Sequence, residues 1–141
     1  MKHSKIIIAD DDIDDRTIIE RAFTQLGHKE MLYFANDGED LMELLNEKKS
    51  DNGSSIIFLD LNMPRKDGRQ ALQEIKNNPG LKKIPVIVFT TSKSREDVEF
   101  TYEIGANCYI TKPNTFPTLI QTLKKVMDFW LETATLPKVI I

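Results

Sequence analysis

The sequence contains a single cysteine, Cys108, so no disulfide can form within the chain and a reducing compartment is expected. No apolar run approaches the ~18 residues needed to cross a membrane, and Ile6–Ala9 near the N-terminus is too short for a secretory signal. The net charge of -3 includes no basic excess that would favour a nucleic-acid partner. These absences predict a cytoplasmic protein that binds neither membrane nor nucleic acid.

The composition is that of a globular protein, with 40% hydrophobic and 29% charged residues. We expect one domain over residues 1–141, with a core from about 5 to 133 and a short tail at 134–141. Five short apolar runs, rich in β-branched and aromatic residues, predict strands that are buried on both faces of a parallel sheet. These runs are Lys5–Ala9, Met31–Ala35, Ile56–Leu59, Val86–Phe89 and Asn107–Ile110.

Segments with helical spacing follow each run, and Gly27, Asp37, Ser94 and Gly105 are the expected cap residues of three of them. The last helix is predicted to continue through Leu131. The alternation predicts an α/β fold of flavodoxin-like (βα)5 type, with a five-stranded parallel sheet of order 2-1-3-4-5 and helices on both faces. A four-strand Rossmann-like half is the alternative, although the first loop lacks G-x-G-x-x-G.

Polar residues stand where four of the predicted strands end. Asp10 and Asp11 follow the first strand, and the third, fourth and fifth strands are followed by Asp60, Thr90 and Lys112. Because the carboxyl ends of parallel strands share one edge of the sheet, these side chains are expected to meet there. The remaining acids of the stretch KIIIADDDIDD are interpreted as residues that cap the first helix and complement its dipole, and they are Asp12, Asp14 and Asp15.

Carboxylates gathered at one edge repel one another and need a compensating cation. Hard carboxylate oxygens, with a backbone carbonyl and waters, suit Mg²⁺, and neither histidine lies near these strand ends to favour zinc or copper. Lys112 and Thr90 add an ammonium and a hydroxyl for phosphoryl oxygens. Asp60 stands alone at a central strand end, so it is the predicted nucleophile for an aspartyl phosphate.

At these residues the sequence resembles the receiver domain of two-component response regulators, from Lys5 to about Leu131. The motifs that carry the resemblance are the acidic pair after strand 1, D-x-N-M-P with a later D-G, a threonine after strand 4 and K-P after strand 5. In this sequence they are Asp10-Asp11, Asp60 to Gly68, Thr90 and Lys112-Pro113.

The resemblance implies that Asp60 accepts a phosphoryl group from a sensor histidine kinase. It further implies that Asp11, Asp60 and the backbone carbonyl of Asn62 bind Mg²⁺, with Asp10 acting through water. Thr90 and Lys112 would contact the phosphoryl group, the Lys112–Pro113 bond would be cis, and Tyr109 would turn inward as Thr90 moves towards the phosphate.

The segments NCYITKP and FWLETATLP are similar to those of regulators paired with bacterial phytochromes and related kinases. That subgroup implies a stand-alone receiver without an output domain. Its expected partners are a phytochrome-like sensor kinase and a downstream protein or histidine phosphotransfer protein, and a homodimer through the helix 4–strand 5–helix 5 face is left open. Three residues depart from common family patterns without removing a required group, and they are Asp12, Thr91 and Asn114.

A haloacid-dehalogenase-like phosphatase is the alternative from another functional class. Such enzymes resemble this sequence in using an aspartate nucleophile and a lysine, but they place the nucleophile after their first strand. They also usually have a second aspartate two residues on, where this sequence has Asn62. Without that general acid, we expect no turnover of an external substrate, only self-phosphorylation and self-dephosphorylation.

Overall fold

The computed structural model describes residues 4–48 and 53–138. Within these ranges the strands and helices are β1 (Lys5–Ala9), α1 (Ile13–Gln25), β2 (Leu32–Ala35), α2 (Gly38–Lys48), β3 (Ser55–Leu59), α3 (Gly68–Lys76), β4 (Val86–Thr90), α4 (Arg95–Ile104), β5 (Cys108–Thr111) and α5 (Phe116–Met127). Across this part of the chain, no helix has the length and apolarity that a bilayer span requires. Whether Val139, Ile140 and Ile141 pair with an edge strand concerns residues outside the described ranges.

The five strands form one parallel sheet of order β2-β1-β3-β4-β5, which confirms the predicted fold. Every residue of β3 and β4 is buried, as their continuous apolar sequences predict for strands covered on both faces. β1 and β3 lie side by side with Ala9 opposite Leu59. The chain adds β2 on one side of β1 and then crosses to add β3 on the other side, so the carboxyl ends of β1 and β3 flank the expected ligand crevice.

Alternate residues of the strands divide the core into two clusters. Ile8 and Phe58 face α1 and α5 on one side of the sheet, whereas Ile7 and Leu59 face α2 and α3 on the other. The Phe58 ring packs edge to face against Phe23 of α1, with their centroids 5.6 Å apart. Both faces of the sheet are therefore packed against helices, and the strand ends that carry the polar residues emerge from this core.

Local sequence explains where several helices begin and end. The Asp37 carboxylate accepts a hydrogen bond from the Asp40 N–H at 2.8 Å, and the Ser94 hydroxyl accepts one from the Asp97 N–H at 3.3 Å. Gly27 and Gly105 follow α1 and α4 with φ of +86° and +129°, a region that favours glycine. These four cap residues were predicted from the sequence.

The structure differs from the sequence predictions at several boundaries. Lys29–Met31 forms a 3-10 turn, so β2 begins at Leu32. β5 begins at Cys108 because the Asn107 side chain accepts a hydrogen bond from the Val86 N–H and closes the preceding loop. The last helix changes from α to π geometry at Asp128–Thr133. The Lys112–Pro113 bond is trans, so the predicted cis bond was wrong; trans is the lower-energy isomer for most prolines.

Candidate functional site

The predicted site residues meet at the carboxyl edge of the sheet. The Asp10 N–H donates to the Ala35 carbonyl and the Asp60 N–H to the Ala9 carbonyl, each at 3.0 Å. The backbone pairing of the central strands therefore continues to the first residue past β1 and β3. This pairing places Asp10 and Asp60 side by side, one residue beyond the carboxyl ends of their strands.

The carboxylates of Asp10, Asp11 and Asp60 form a compact cluster. Each contributes one oxygen to a set in which all the oxygens lie within 4.8 Å of one another. Asp10 and Asp60 are buried, whereas Asp11 is exposed at the rim. Three carboxylate oxygens at this spacing, two of them held by strand ends and one open to water, fit a hard divalent cation that keeps some of its waters.

The Lys112 ammonium lies between carboxylates from three different elements. Its Nζ is 2.7 Å from Asp10, 2.8 Å from Asp15 and 3.4 Å from Asp60. Burial by itself lowers the pKa of Lys112, but hydrogen bonds to Asp10 and Asp15 and the charge of Asp60 raise it above the usual value. Lys112 is thus a permanent cation beside the predicted nucleophile.

Burial has the opposite consequence for Asp10. Desolvation raises the pKa of its carboxyl above the usual range, although the bond from Lys112 and the Asp12 N–H oppose the increase. The Asp60 charge adds to the increase. The rise in pKa therefore reflects mainly the burial of this carboxyl, whose charged form a bound cation would stabilise.

Asp15 is the residue of this site that sequence reasoning did not identify. It was interpreted as a helix-complementing acid, yet its carboxylate forms an ion pair with Lys112 across 97 positions of sequence. A signal was present in the sequence, because side chains in the first turn of a helix lean towards the helix N-terminus. From there a carboxylate can reach the edge of the sheet. Asp12 acts as predicted and caps α1 by accepting from the Asp15 N–H.

The loop from residue 61 to 67 is tied to the neighbouring segments. Gly68 donates its N–H to the Leu61 carbonyl at 2.9 Å, and a Cβ at Gly68 would overlap the Asp60 carbonyl oxygen. The Arg65 guanidinium contacts the Asp37 carboxylate at 2.8 Å. Burial by itself raises the pKa of Asp37. The hydrogen bonds from the Asp40 N–H and from Arg65 have the larger combined effect and hold the pKa below the usual range. The conformation of the Asp60–Gly68 motif therefore depends on glycine and on an ion pair to α2.

The predicted switch residues are joined through Ser92. Thr90 is fully buried, and its hydroxyl accepts from the Ser92 N–H at 3.5 Å. The Tyr109 hydroxyl donates to the Ser92 carbonyl at 2.9 Å, so the aromatic ring is turned inward. The Tyr109 N–H donates to the Tyr102 hydroxyl on α4 at 3.2 Å. The structure therefore connects Thr90 with Tyr109 and with the surface of α4.

The Ser92 side chain also belongs to an ion-pair network between α3 and α4. Its hydroxyl donates to Asp97 at 2.7 Å, and Arg69 binds the same carboxylate through Nε at 3.0 Å and a terminal nitrogen at 2.8 Å. Burial by itself raises the pKa of Asp97. The hydrogen bonds from Ser92 and Arg69 have the larger combined effect and hold the pKa below its usual range. This network holds the loop between β4 and α4.

We expect Asp97→Asn to reduce the free energy of unfolding by about 1–2 kcal/mol at pH 7, because it removes a charge-assisted pair with partly buried Arg69. A lowered folded-state pKa stabilises the protein above the unfolded value of about 3.9 and ceases to do so as the pH falls through the folded value. The difference in free energy of unfolding between variant and wild type, measured by urea unfolding, should therefore narrow as the pH falls below about 4. Glu96→Gln, an exposed neighbour, is the control, and an equal loss there would contradict the prediction.

An open cavity of about 480 Å³ lies beside Lys112, between α1 and the start of α5. Asp15, Ile18, Lys112, Asn114 and Phe116 are among the residues that line it. Lys112 and Asp15 therefore both border an open cavity.

Comparison with known proteins defines the class of protein that this fold and site represent. The family described as the response regulator receiver domain matches residues 6–124, so the chain belongs to that family. Among curated relatives, it is 40% identical to response regulator Rcp1 of Synechocystis over 94% of this chain and 91% of Rcp1.

Solved structures place the chain near the regulators of cyanobacterial phytochromes. The phosphorylated cyanobacterial phytochrome response regulator RcpA superposes with a TM-score of 0.86 at 39% identity, covering 96% of this chain and 99% of RcpA. The Mn²⁺-bound form of Rcp1 gives a TM-score of 0.78 at 38% identity, over 94% and 99% of the two chains. The predicted resemblance to phytochrome-linked receivers is thereby confirmed.

Proposed function

We propose that this receiver accepts a phosphoryl group from a sensor histidine kinase onto Asp60 in the presence of Mg²⁺. The observation that carries the proposal is the position of the Asp60 carboxylate, between a cluster of acidic oxygens suited to a cation and the Lys112 ammonium. The similar regulator RcpA, whose structure is of the phosphorylated form, and Rcp1, whose structure contains Mn²⁺, support it.

In the proposed reaction, an Asp60 carboxylate oxygen attacks phosphorus as the phosphorus–nitrogen bond of a phosphohistidine breaks. The imidazole leaves with that electron pair, and an acyl phosphate remains on Asp60. Asp10, Asp11, Asp60 and the Asn62 carbonyl would hold Mg²⁺, which supplies neutralising charge at the phosphoryl oxygens. Lys112 supplies the second positive charge, and Thr90 donates a hydrogen bond to a phosphoryl oxygen.

Phosphorylation is proposed to shift a two-state balance through Thr90 and Tyr109. Both residues form hydrogen bonds with the Ser92 backbone. A movement of the Thr90 hydroxyl towards the phosphate would therefore shift Ser92 and change the position of the Tyr109 ring. Phe100 and Tyr102 on α4 are 39% and 49% exposed. The α4–β5–α5 surface that carries them is the proposed contact for a downstream protein, a histidine phosphotransfer protein or a second copy.

Incubation with acetyl phosphate and Mg²⁺, followed by intact-mass measurement, tests the proposal. A single phosphoryl adduct that is removed by hydroxylamine is the expected result, because hydroxylamine cleaves acyl phosphates. An unmodified mass under conditions that phosphorylate a known receiver would overturn it.

We further propose that the protein does not act as a phosphatase on external substrates. The side chain two residues after Asp60 is an exposed amide, Asn62, which cannot serve as a general acid. Steady-state hydrolysis of an aryl phosphate should stay at the level of a protein-free blank. Sustained turnover that depends on Asp60 would favour the phosphatase alternative.

The proposed donor is the histidine-bearing domain of a phytochrome-like kinase in the cytoplasm. A protein donor must bring its phosphohistidine over the strand ends, and α1 begins directly beside them with apolar side chains in solvent. Ile13 is 70% exposed and Ile18 is 39% exposed. Ile18 also lines the cavity next to Lys112, so α1 is the proposed docking surface.

We expect Ile18→Ser to slow phosphoryl transfer from a purified bacterial phytochrome kinase about tenfold, because the variant loses apolar contact area at an interface. Phosphorylation by acetyl phosphate should be unchanged, since that small donor needs no docking surface. Phe100→Ser, with the same 39% exposure on α4, is the matched control. An unchanged rate of transfer from the kinase to Ile18→Ser would show that this part of α1 is not the docking surface.

A further inference from the structure

Lys112 divides its hydrogen bonds unequally among its three carboxylate partners. An ammonium group has three N–H donors. The contacts to Asp10 and Asp15 are short, at 2.7 and 2.8 Å, whereas the contact to Asp60 is 3.4 Å. The Lys112 ammonium is therefore closer to Asp10 and Asp15 than to Asp60, the proposed phosphoryl acceptor.

Asp15 differs from the other two partners of Lys112. The compact set of oxygens that could hold a cation comes from Asp10, Asp11 and Asp60 and does not include Asp15. A cation bound there would attract electron density from Asp10 and Asp60 and weaken their hold on Lys112. The contact with Asp15 would keep its full strength, because this carboxylate is carried by α1 outside the cluster.

We infer that Asp15 is a positioning residue that restrains Lys112 and so weakens its contact with a phosphoryl group on Asp60. This inference rests on the proposed phosphoryl-accepting function of Asp60. The carboxylate of Asp15 competes with the phosphoryl group for the Lys112 ammonium. Because the Asp15 side chain is 37% exposed, its charge can be removed by substitution without leaving a cavity in the core. The strength of the restraint sets how tightly the site holds a phosphoryl group.

Asp15→Asn tests the inference because asparagine keeps the size and one acceptor oxygen but removes the charge. With Mg²⁺ saturating, we expect beryllofluoride, a phosphoryl analogue, to bind this variant about fivefold more tightly than wild type in calorimetry. Asp14→Asn makes the same change of net charge one residue away, at an exposed side chain, and should bind like wild type. Asp15→Glu should restore an affinity near the wild-type value.

Two further measurements separate this role from a general electrostatic one. The affinity for Mg²⁺ alone should be the same for Asp15→Asn and Asp14→Asn within about twofold, and the Asp15→Asn effect should disappear in a Lys112→Ala background. Equal or weaker beryllofluoride binding by Asp15→Asn, or an effect that persists without Lys112, would overturn the inference. Failure of wild type to bind beryllofluoride, or binding that survives Asp60→Ala, would instead overturn the proposed function on which it rests.

Discussion

We expect the Asp60→Asn protein to acquire no phosphoryl group from acetyl phosphate or from a histidine kinase, whereas wild type acquires one. The amide oxygen lacks the negative charge that makes the carboxylate nucleophilic towards phosphorus, and it is a poorer ligand for a divalent cation. Asp10 and Asp11 are not expected to replace it, because both are proposed to hold the cation. Intact-mass measurement and binding of beryllofluoride both report the loss.

The fold of this variant should remain intact. Lys112 keeps its short contacts with Asp10 and Asp15, and removal of one carboxylate reduces the repulsion in the cluster. We expect the free energy of unfolding to stay within about 1 kcal/mol of wild type, a range typical of changes that leave the core intact. Asp14→Asn is the matched control and should be phosphorylated normally. A phosphoryl adduct on Asp60→Asn would show that another residue is the acceptor.

The second large effect is the stabilisation of the protein by Mg²⁺. At a concentration about 100 times the dissociation constant, a ligand that binds only the folded state adds about 2.7 kcal/mol to the free energy of unfolding. For a domain of this size that corresponds to a rise of roughly 5–10 °C in Tm. The acidic cluster supplies the reason, since the cation offsets the repulsion among the carboxylates of Asp10, Asp11 and Asp60 and replaces hydration that the buried Asp10 has lost. Thermal unfolding with Mg²⁺ and with excess chelator measures the difference.

Asp11→Asn should abolish most of this stabilisation. Asp11 is exposed at the rim, so the substitution should leave the metal-free protein close to wild type while it removes a proposed ligand. The affinity for Mg²⁺ should fall by more than the ~10–100-fold typical of outer-shell partners. Asp14→Asn should keep the full increase in Tm. An unchanged increase in Asp11→Asn would exclude this residue from the metal site.

Much of the fold could be predicted from short-range pattern. The runs around Ile7, Phe58 and Val88 are continuous and apolar, which distinguishes strands buried on both faces from half-exposed ones. Strand ends were less certain because a boundary depends on individual hydrogen bonds, such as the one from the Val86 N–H to the Asn107 side chain. The π geometry at Asp128–Thr133 has no signature in the hydrophobic pattern that separates it from an α-helix.

The site was predictable to the extent that topology alone brings its parts together. Parallel strands direct Asp10, Asp60 and Lys112 to one edge, whatever the loop lengths between them. The roles given to Thr90 and Tyr109 came from family resemblance and remain proposals. The contact of Asp15 with Lys112 and the Arg69–Asp97–Ser92 network were not predicted, because each depends on side-chain directions set by packed helices.

The sequence by itself determined the order of strands and helices, the class of protein and the residues at the strand ends, because hydrophobic period and motif spacing are local properties of the chain. Only the tertiary structure decided how the charge of Lys112 is shared among carboxylates 52, 97 and 102 positions away. That division depends on distances of a few tenths of an ångström between side chains on separate elements. Such distances are set when α1 and the sheet pack together, and no run of residues encodes them.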